Sequence, residues 1–148
     1  MSNSIKIEGI DETIKLLMEE VPTKARNLMR AVIHGVASDI SKDAKSNAPR
    51  KTGNLRKSIK AKRRKSHPDK PVSEVHVEKG KSKKNDGFYW RFIEYGTSGG
   101  PAGALPERPF MRPAKDKAQS NMPQILENQF RKKLQSAIKR EQKKRAKR

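Results

Sequence analysis

Residues 22–47 read PTKARNLMRAVIHGVASDISKDAKSN. Ala25, Leu28, Met29, Val32, Ile33, Val36, Ile40 and Ala44 fall at spacings of three and four. That period places one apolar stripe along a helix, a rod of roughly 35–40 Å. Pro22 suits its first turn, where the missing N–H has no partner to lose. Pro49 ends it, because the residue before a proline is pushed out of the helical region. Gly35 costs the helix about 1 kcal/mol against alanine, so it marks a close packing contact.

Outward from this spine the period changes. Ser4–Ile10 alternates and reads as a short strand. Asp11 then caps a short helix bearing Ile14, Leu16 and Leu17. On the other side, Thr52-Gly53-Asn54 is a turn by its chemistry. Leu55–Lys62 reads as a strand, Lys62–Lys70 as a loop, and Val72–Val77 as a second strand with Val75 and Val77 on one face. Lys79–Asp86 is a polar loop. Phe88–Tyr95 holds five of the seven aromatic residues and reads as a buried strand, since aromatics favour a pleated surface. Thr97–Pro109 is rich in Gly and Pro and reads as a long irregular loop. From Phe110 the helical period returns through Met111, Ala114, Ala118, Met122, Phe130, Leu134 and Ile138, with Pro123 restarting the helix after Asn121. The expected fold class is α+β: two long helices packed on a small, mainly antiparallel β-sheet. The expected organisation is a single domain over residues 1–140 with a basic loop region at 60–86. A basic, disordered tail over 141–148 would follow, fraying past Ile138.

The chain has 148 residues and a net charge of +20, with 35% charged and 32% hydrophobic residues. Residues 50–84 carry net +11 and residues 131–148 net +9, while 1–49 and 85–130 are each neutral. The neutral blocks therefore read as the folded body. The basic blocks read as solvated segments that meet a polyanion or an acidic surface. Lys62, Arg63, Arg64, Lys65, Lys139, Arg140, Lys143, Lys144 and Arg145 are the candidate polyanion contacts. There is no cysteine, which excludes disulfides and thiolate metal sites. No signal peptide and no apolar run of membrane-spanning length is legible, so a cytoplasm-like compartment and no membrane partner are expected.

Catalytic equipment is not legible. His34, His67 and His76 are scattered, and neither a Walker loop nor a nucleophile elbow is present. Gly96 and the residues after it lack the lysine of a phosphate cradle. Glu94 is a lone carboxylate among aromatics, and a buried ion pair with an arginine explains it better than acid–base work. No enzyme activity, metal or cofactor is expected.

Three segments carry a resemblance: Ala48-Pro-Arg-Lys-Thr-Gly-Asn-Leu-Arg-Lys-Ser-Ile59, Tyr89-Trp-Arg-Phe-Ile-Glu-Tyr-Gly-Thr97, and Arg108-Pro-Phe-Met-Arg-Pro-Ala114. Their order and separation resemble the tail-completion family of siphovirus-type phages named for the tenth gene product of phage Hong Kong 97. The resemblance spans roughly residues 20–140. It implies a small α+β, non-enzymatic assembly protein that completes the tail or joins it to the head at the neck. In the virion it would act within a homo-oligomeric ring, beside the tail terminator, tail tube and head-closure ring. Assembly would take place in the host cytoplasm.

Arg50, Thr52, Gly53, Leu55, Glu94, Gly96, Thr97, Pro109, Phe110 and Arg112 are the candidate assembly-interface residues. Of these, Arg50, Glu94 and Arg112 are the charges expected to pair, within the subunit or across a ring. Pro109 is expected in the first turn of the last helix. The two basic blocks depart from the family pattern and add non-specific DNA contact as an expectation. They also support the competing reading, a nucleic-acid-binding architectural or packaging-related protein. Against it, the blocks hold no aromatics for base stacking. An RNA-cleaving toxin shares the charge, but no histidine is paired with a second catalytic group.

Overall fold

The computed structural model describes residues 22–50, 53–79, 89–101 and 103–147. The expected strand at Ser4–Ile10, the helix after Asp11 and most of the Lys79–Asp86 loop lie outside the described residues. Seven elements follow in chain order. They are α1 (Pro22–Asn47), α2 (Asn54–Ser58), β1 (Ile59–Arg64), β2 (Val72–Val77), α3 (Trp90–Tyr95), α4 (Met111–Ser120) and α5 (Met122–Ala146). The fold is α+β, with two long helices packed on a two-stranded antiparallel sheet.

Helix α1 is the expected spine, and α5, α4 and both strands pack on it. Its buried residues are Ala25, Val32, Gly35, Val36, Ala37, Ser41 and Ala44. The small side chains among them let neighbouring backbones approach closely. At Gly35 the room is taken by a side chain: a Cβ there would run into the Gln129 amide of α5. Gln129 in turn donates to Asp39 on the next turn of α1, so the two long helices share a half-buried polar contact beside the glycine.

At the C-terminus of α1 the exposed carbonyls meet a side chain. Arg56 donates to the carbonyls of Ala48 (2.9 and 2.8 Å) and Ser46 (3.1 Å). A guanidinium there satisfies orphan acceptors and opposes the negative end of the helix dipole.

The segment after Gly53 departs from expectation. Asn54–Ser58 is a helical turn, not the start of a strand. Gly53 takes φ 72° and reverses the chain, and Ser58 Oγ donates to the Asn54 carbonyl at 2.9 Å. Leu55 and Ile59, four apart, both reach the core from such a turn. The strand then begins at Ile59 and runs through Arg64, into what reads from sequence as loop. Pairing explains the extension. Ile59 faces Val77 and Ala61 faces Val75, while the basic residues find carboxylates across the strands. Lys60 lies 2.6 Å from Glu78 and Arg64 2.7 Å from Glu74.

The aromatic segment is also corrected. Trp90–Tyr95 is helical, and Phe92 and Tyr95 are exposed. Trp90, Ile93 and Glu94 turn inward at spacings of three and four, a helical face that β-propensity alone conceals. Thr97–Pro109 is the expected irregular loop, closed by a bridge between Thr97 and Leu105. Pro109 lies two residues ahead of α4 rather than in its first turn, which holds Pro113 instead. The break at Asn121 with Pro123 opening α5 is as expected. Helix α5 continues to Ala146, eight residues past Ile138, where composition predicts fraying. The Lys24–Glu141 contact at 3.5 Å ties that end to α1.

The core is small. Ala44, Ala48, Leu55, Ile59, Phe110 and Ala114 form its buried cluster, with Ile40, Val75, Val77, Trp90 and Ile93 packed against it. All three sequence motifs contribute to that one cluster.

Candidate functional site

Glu94 is fully buried, and its carboxylate sits on the N-terminus of α4. Oε2 accepts the N–H groups of Phe110 (2.8 Å) and Met111 (2.9 Å). Oε1 accepts the Arg112 N–H (2.9 Å) and its Nε (3.2 Å). The first N–H groups of a helix have no intrahelical acceptor. No side chain of α4's own N-cap supplies one, so a residue sixteen positions upstream does. Arg112 returns the contact, donating to the Glu94 carbonyl (2.7 Å) and to Glu107 (3.0 Å), and its guanidinium stands 5.1 Å from the centre of the Tyr95 ring.

Burial raises the proton affinity of Glu94. The N–H groups of Met111, Phe110 and Arg112 and the Arg112 guanidinium outweigh it and hold the carboxyl below the usual glutamate value. A carboxylate with its lone pairs occupied and its charge stabilised makes a poor general base. The arrangement is a fastening.

Gly96 belongs to the same fastening. It takes φ 68°, and a Cβ there would meet the Leu105 carbonyl oxygen at 2.7 Å and the Glu107 nitrogen at 2.9 Å. The chain can pass only because there is no side chain. Thr97 pairs with Leu105 through both backbone groups and accepts the Leu105 N–H on its hydroxyl. The Arg108 N–H donates to the Ile93 carbonyl at 2.8 Å. The second and third motifs are thus one unit, a carboxylate hub with a loop pinned at both ends.

Among the candidate interface residues, Leu55, Glu94 and Phe110 lie inside the subunit. Side chains buried in this way cannot touch a neighbouring molecule directly. Gly96, Thr97, Pro109 and Arg112 gather around the hub. Gly53 makes the turn that starts α2. Arg50 is exposed and joins neither Glu94 nor Arg112, and Thr52 lies outside the described residues. Arg56 and Glu107 were not singled out from the sequence, since nothing there distinguishes them from the other charged residues nearby.

The surface of the hub carries exposed apolar side chains. Phe92 and Tyr95 lie three apart on α3 and are 50% and 60% exposed, and Leu105 is 54% exposed in the pinned loop. The histidines form no comparable centre. His76 does have carboxylates at alternating positions, Glu74 (3.7 Å) and Glu78 (3.9 Å), but Arg64 and Lys60 hold those groups more closely. Among the described residues no group of three metal-binding side chains is present, and no helix is long and apolar enough to cross a membrane.

Residues 11–96 match the family described as "Bacteriophage HK97-gp10, putative tail-component". The chain belongs to that family and is a bacteriophage tail component, a constituent of the virion. The match takes in the first motif and all of the second but Thr97, ending at Gly96. The third motif lies beyond it and joins the others through Glu94. No curated protein and no solved structure matches the chain.

Proposed function

We propose that this protein completes the end of the tail that meets the head, as one subunit of a ring, and that it does so without catalysis. The observation that carries the reading is the exposed trio Phe92, Tyr95 and Leu105 on a hub fixed by Glu94. Large apolar side chains held rigidly at the surface offer a contact that loses little conformational entropy on docking. Aromatics are the side chains most enriched in such contacts. The neighbouring copy in the ring is the occupant, with the tail tube, tail terminator and head-closure proteins on its flanks. Host cytoplasm is the place of assembly.

The test is complementation of a phage lacking this protein. Phe92→Ser/Tyr95→Ser protein should fold, since both side chains are at the surface, yet restore few joined particles. Full restoration by that variant would remove this face from the interface.

The competing reading, a nucleic-acid-binding architectural protein, draws support from the basic residues of β1 and α5. It differs in what loss of the protein would do: DNA packaging would fail before joining.

A further inference from the structure

The two basic blocks, separated in the chain by the neutral residues 85–130, come together in space through Arg63 of the first and Lys133 and Arg140 of the second. Two adjoining grooves run between the first half of α1, the end of β1 and the second half of α5, with volumes of about 820 and 250 Å³. Arg63 lines both. Nine cations line the pair, against one carboxylate, Glu141. Eight come from three elements, Lys24 and Arg30 from α1, Arg63 and Arg64 from β1, and Lys133, Arg140, Lys144 and Arg145 from α5; the ninth, Lys65, directly follows β1. His34 of α1 lies near the same charges: burial, and then Arg63 and Lys133, hold its imidazole below the usual histidine value, and among the described residues its Nδ1 has no hydrogen-bond partner.

Glu141 is already shared by Lys24 and Lys144 at 3.5 and 3.7 Å. Arg30, Arg63, Lys133 and Arg140 form no ion pair among the described residues. Like charges brought together this way repel one another unless an anion sits between them. On α5, Lys133, Arg140 and Lys144 fall at i, i+7 and i+11, one stripe about 17 Å long. Across that length one DNA strand presents about five phosphates, one per 3.4 Å. An acidic helix would present a carboxylate only every 5–6 Å or so along one face. The stripe alone would suit either partner, but the nine cations of the two grooves together exceed the roughly three carboxylates that one face of an acidic helix would bring over about 17 Å, and they suit a phosphate backbone.

We propose that this composite groove binds the phosphate backbone of double-stranded DNA, with Arg30, Arg63, Lys133 and Arg140 as contacts and no reading of sequence. The site stands apart from the Phe92–Tyr95–Leu105 face, so its failure leaves the ring reading untouched.

The test is fluorescence anisotropy of the full chain with a 30-base-pair duplex, across a salt series. The groove variant is Arg63→Gln/Lys133→Gln/Arg140→Gln. The control is Lys45→Gln/Lys57→Gln/Lys115→Gln, which removes the same charge elsewhere. Four of the six are exposed and Lys45 and Lys133 are half-buried, one in each variant, and thermal melting checks that both variants fold. The groove variant should weaken binding about a hundred-fold at 100 mM salt and flatten the slope of log K against log salt by about 2.7, at 0.9 per phosphate contact. The control should change the slope by less than about 1. Truncation after Ile138 should remove only part of the affinity, because Arg30, Arg63 and Lys133 remain. Equal losses in groove variant and control, or no binding at 50 mM salt, would overturn the proposal. So would displacement of the duplex by poly-glutamate at equal charge concentration, which would make the groove an acidic-protein site.

Discussion

Glu94→Gln keeps the shape of the side chain and removes the charge that its four donors point at. One oxygen becomes an NH₂ that cannot accept, so at least one N–H at the start of α4 loses its partner. Hydrogen bonds to a charged group are worth about 1.5–3 kcal/mol, and Arg112 is partly open to solvent, which lowers its share. The variant should unfold about 2–3 kcal/mol more easily in a urea titration. The acid limb of the stability curve checks the same residue. The folded pKa of Glu94 is depressed, so its contribution is fully present above the ordinary value of 4.5 and is lost as pH falls below it. Wild-type protein should therefore lose more stability than Glu94→Gln as pH is lowered through that range, and parallel acid limbs would refute the cap. Gly96→Ala tests the neighbouring constraint. Its Cβ would meet backbone atoms of Leu105 and Glu107, which cannot swing aside, and φ 68° is strained for any other L-residue. A loss of roughly 3 kcal/mol is expected. A melting temperature within a degree of wild type would mean that the loop is not held as described.

At the scale of elements, the α1–α5 seam turns on Gly35 and Gln129. Alanine at 35 gains about 1 kcal/mol of helix propensity but displaces the Gln129 amide from Asp39. In the wild-type background Gly35→Ala should destabilise by about 1 kcal/mol, the roughly 2 kcal/mol of a hydrogen bond to a charged acceptor less the propensity gain. In a Gln129→Ala background, the same change should stabilise by about 1 kcal/mol. The sign change is the readout of the double-mutant cycle, and equal effects in both backgrounds would place the helices differently. Val32→Asp, which puts a charge at a buried position of α1, should abolish the cooperative transition. This spine was legible in the sequence because eight apolar residues keep one period over many turns. The break at Pro123 and strand β2 were legible too, from a residue that cannot continue a helix and from simple alternation. Helix α3 was not. Its six residues are too short for a period to declare itself, and their aromatic content speaks for a strand. What decides the matter is tertiary: Glu94 must reach the α4 N-terminus while Trp90 and Ile93 face the core. The extent of β1 was hidden for a similar reason, since Arg63 and Arg64 look like loop charges until β2 is placed beside them and Glu74 meets Arg64. Arg56 and Gln129 left no sequence signal at all, because capping and interhelical contacts depend on where the partner element arrives. The candidate site was legible as three motifs. That they form one core around Phe110 was not.

For the whole molecule, the sequence marks two basic blocks and the fold makes them one groove, on a different surface from the exposed apolar trio. A subunit built this way can meet a neighbour on one face and a polyanion on another, as a protein at a DNA-filled joint would need to do. The central claim is that the protein acts where tail meets head. It is tested most directly by negative-stain electron microscopy of lysates from a phage lacking this protein. The account predicts DNA-filled heads and separate tails, with joined particles returning when wild-type protein is supplied. Joined, infectious particles in the absence of the protein would contradict it.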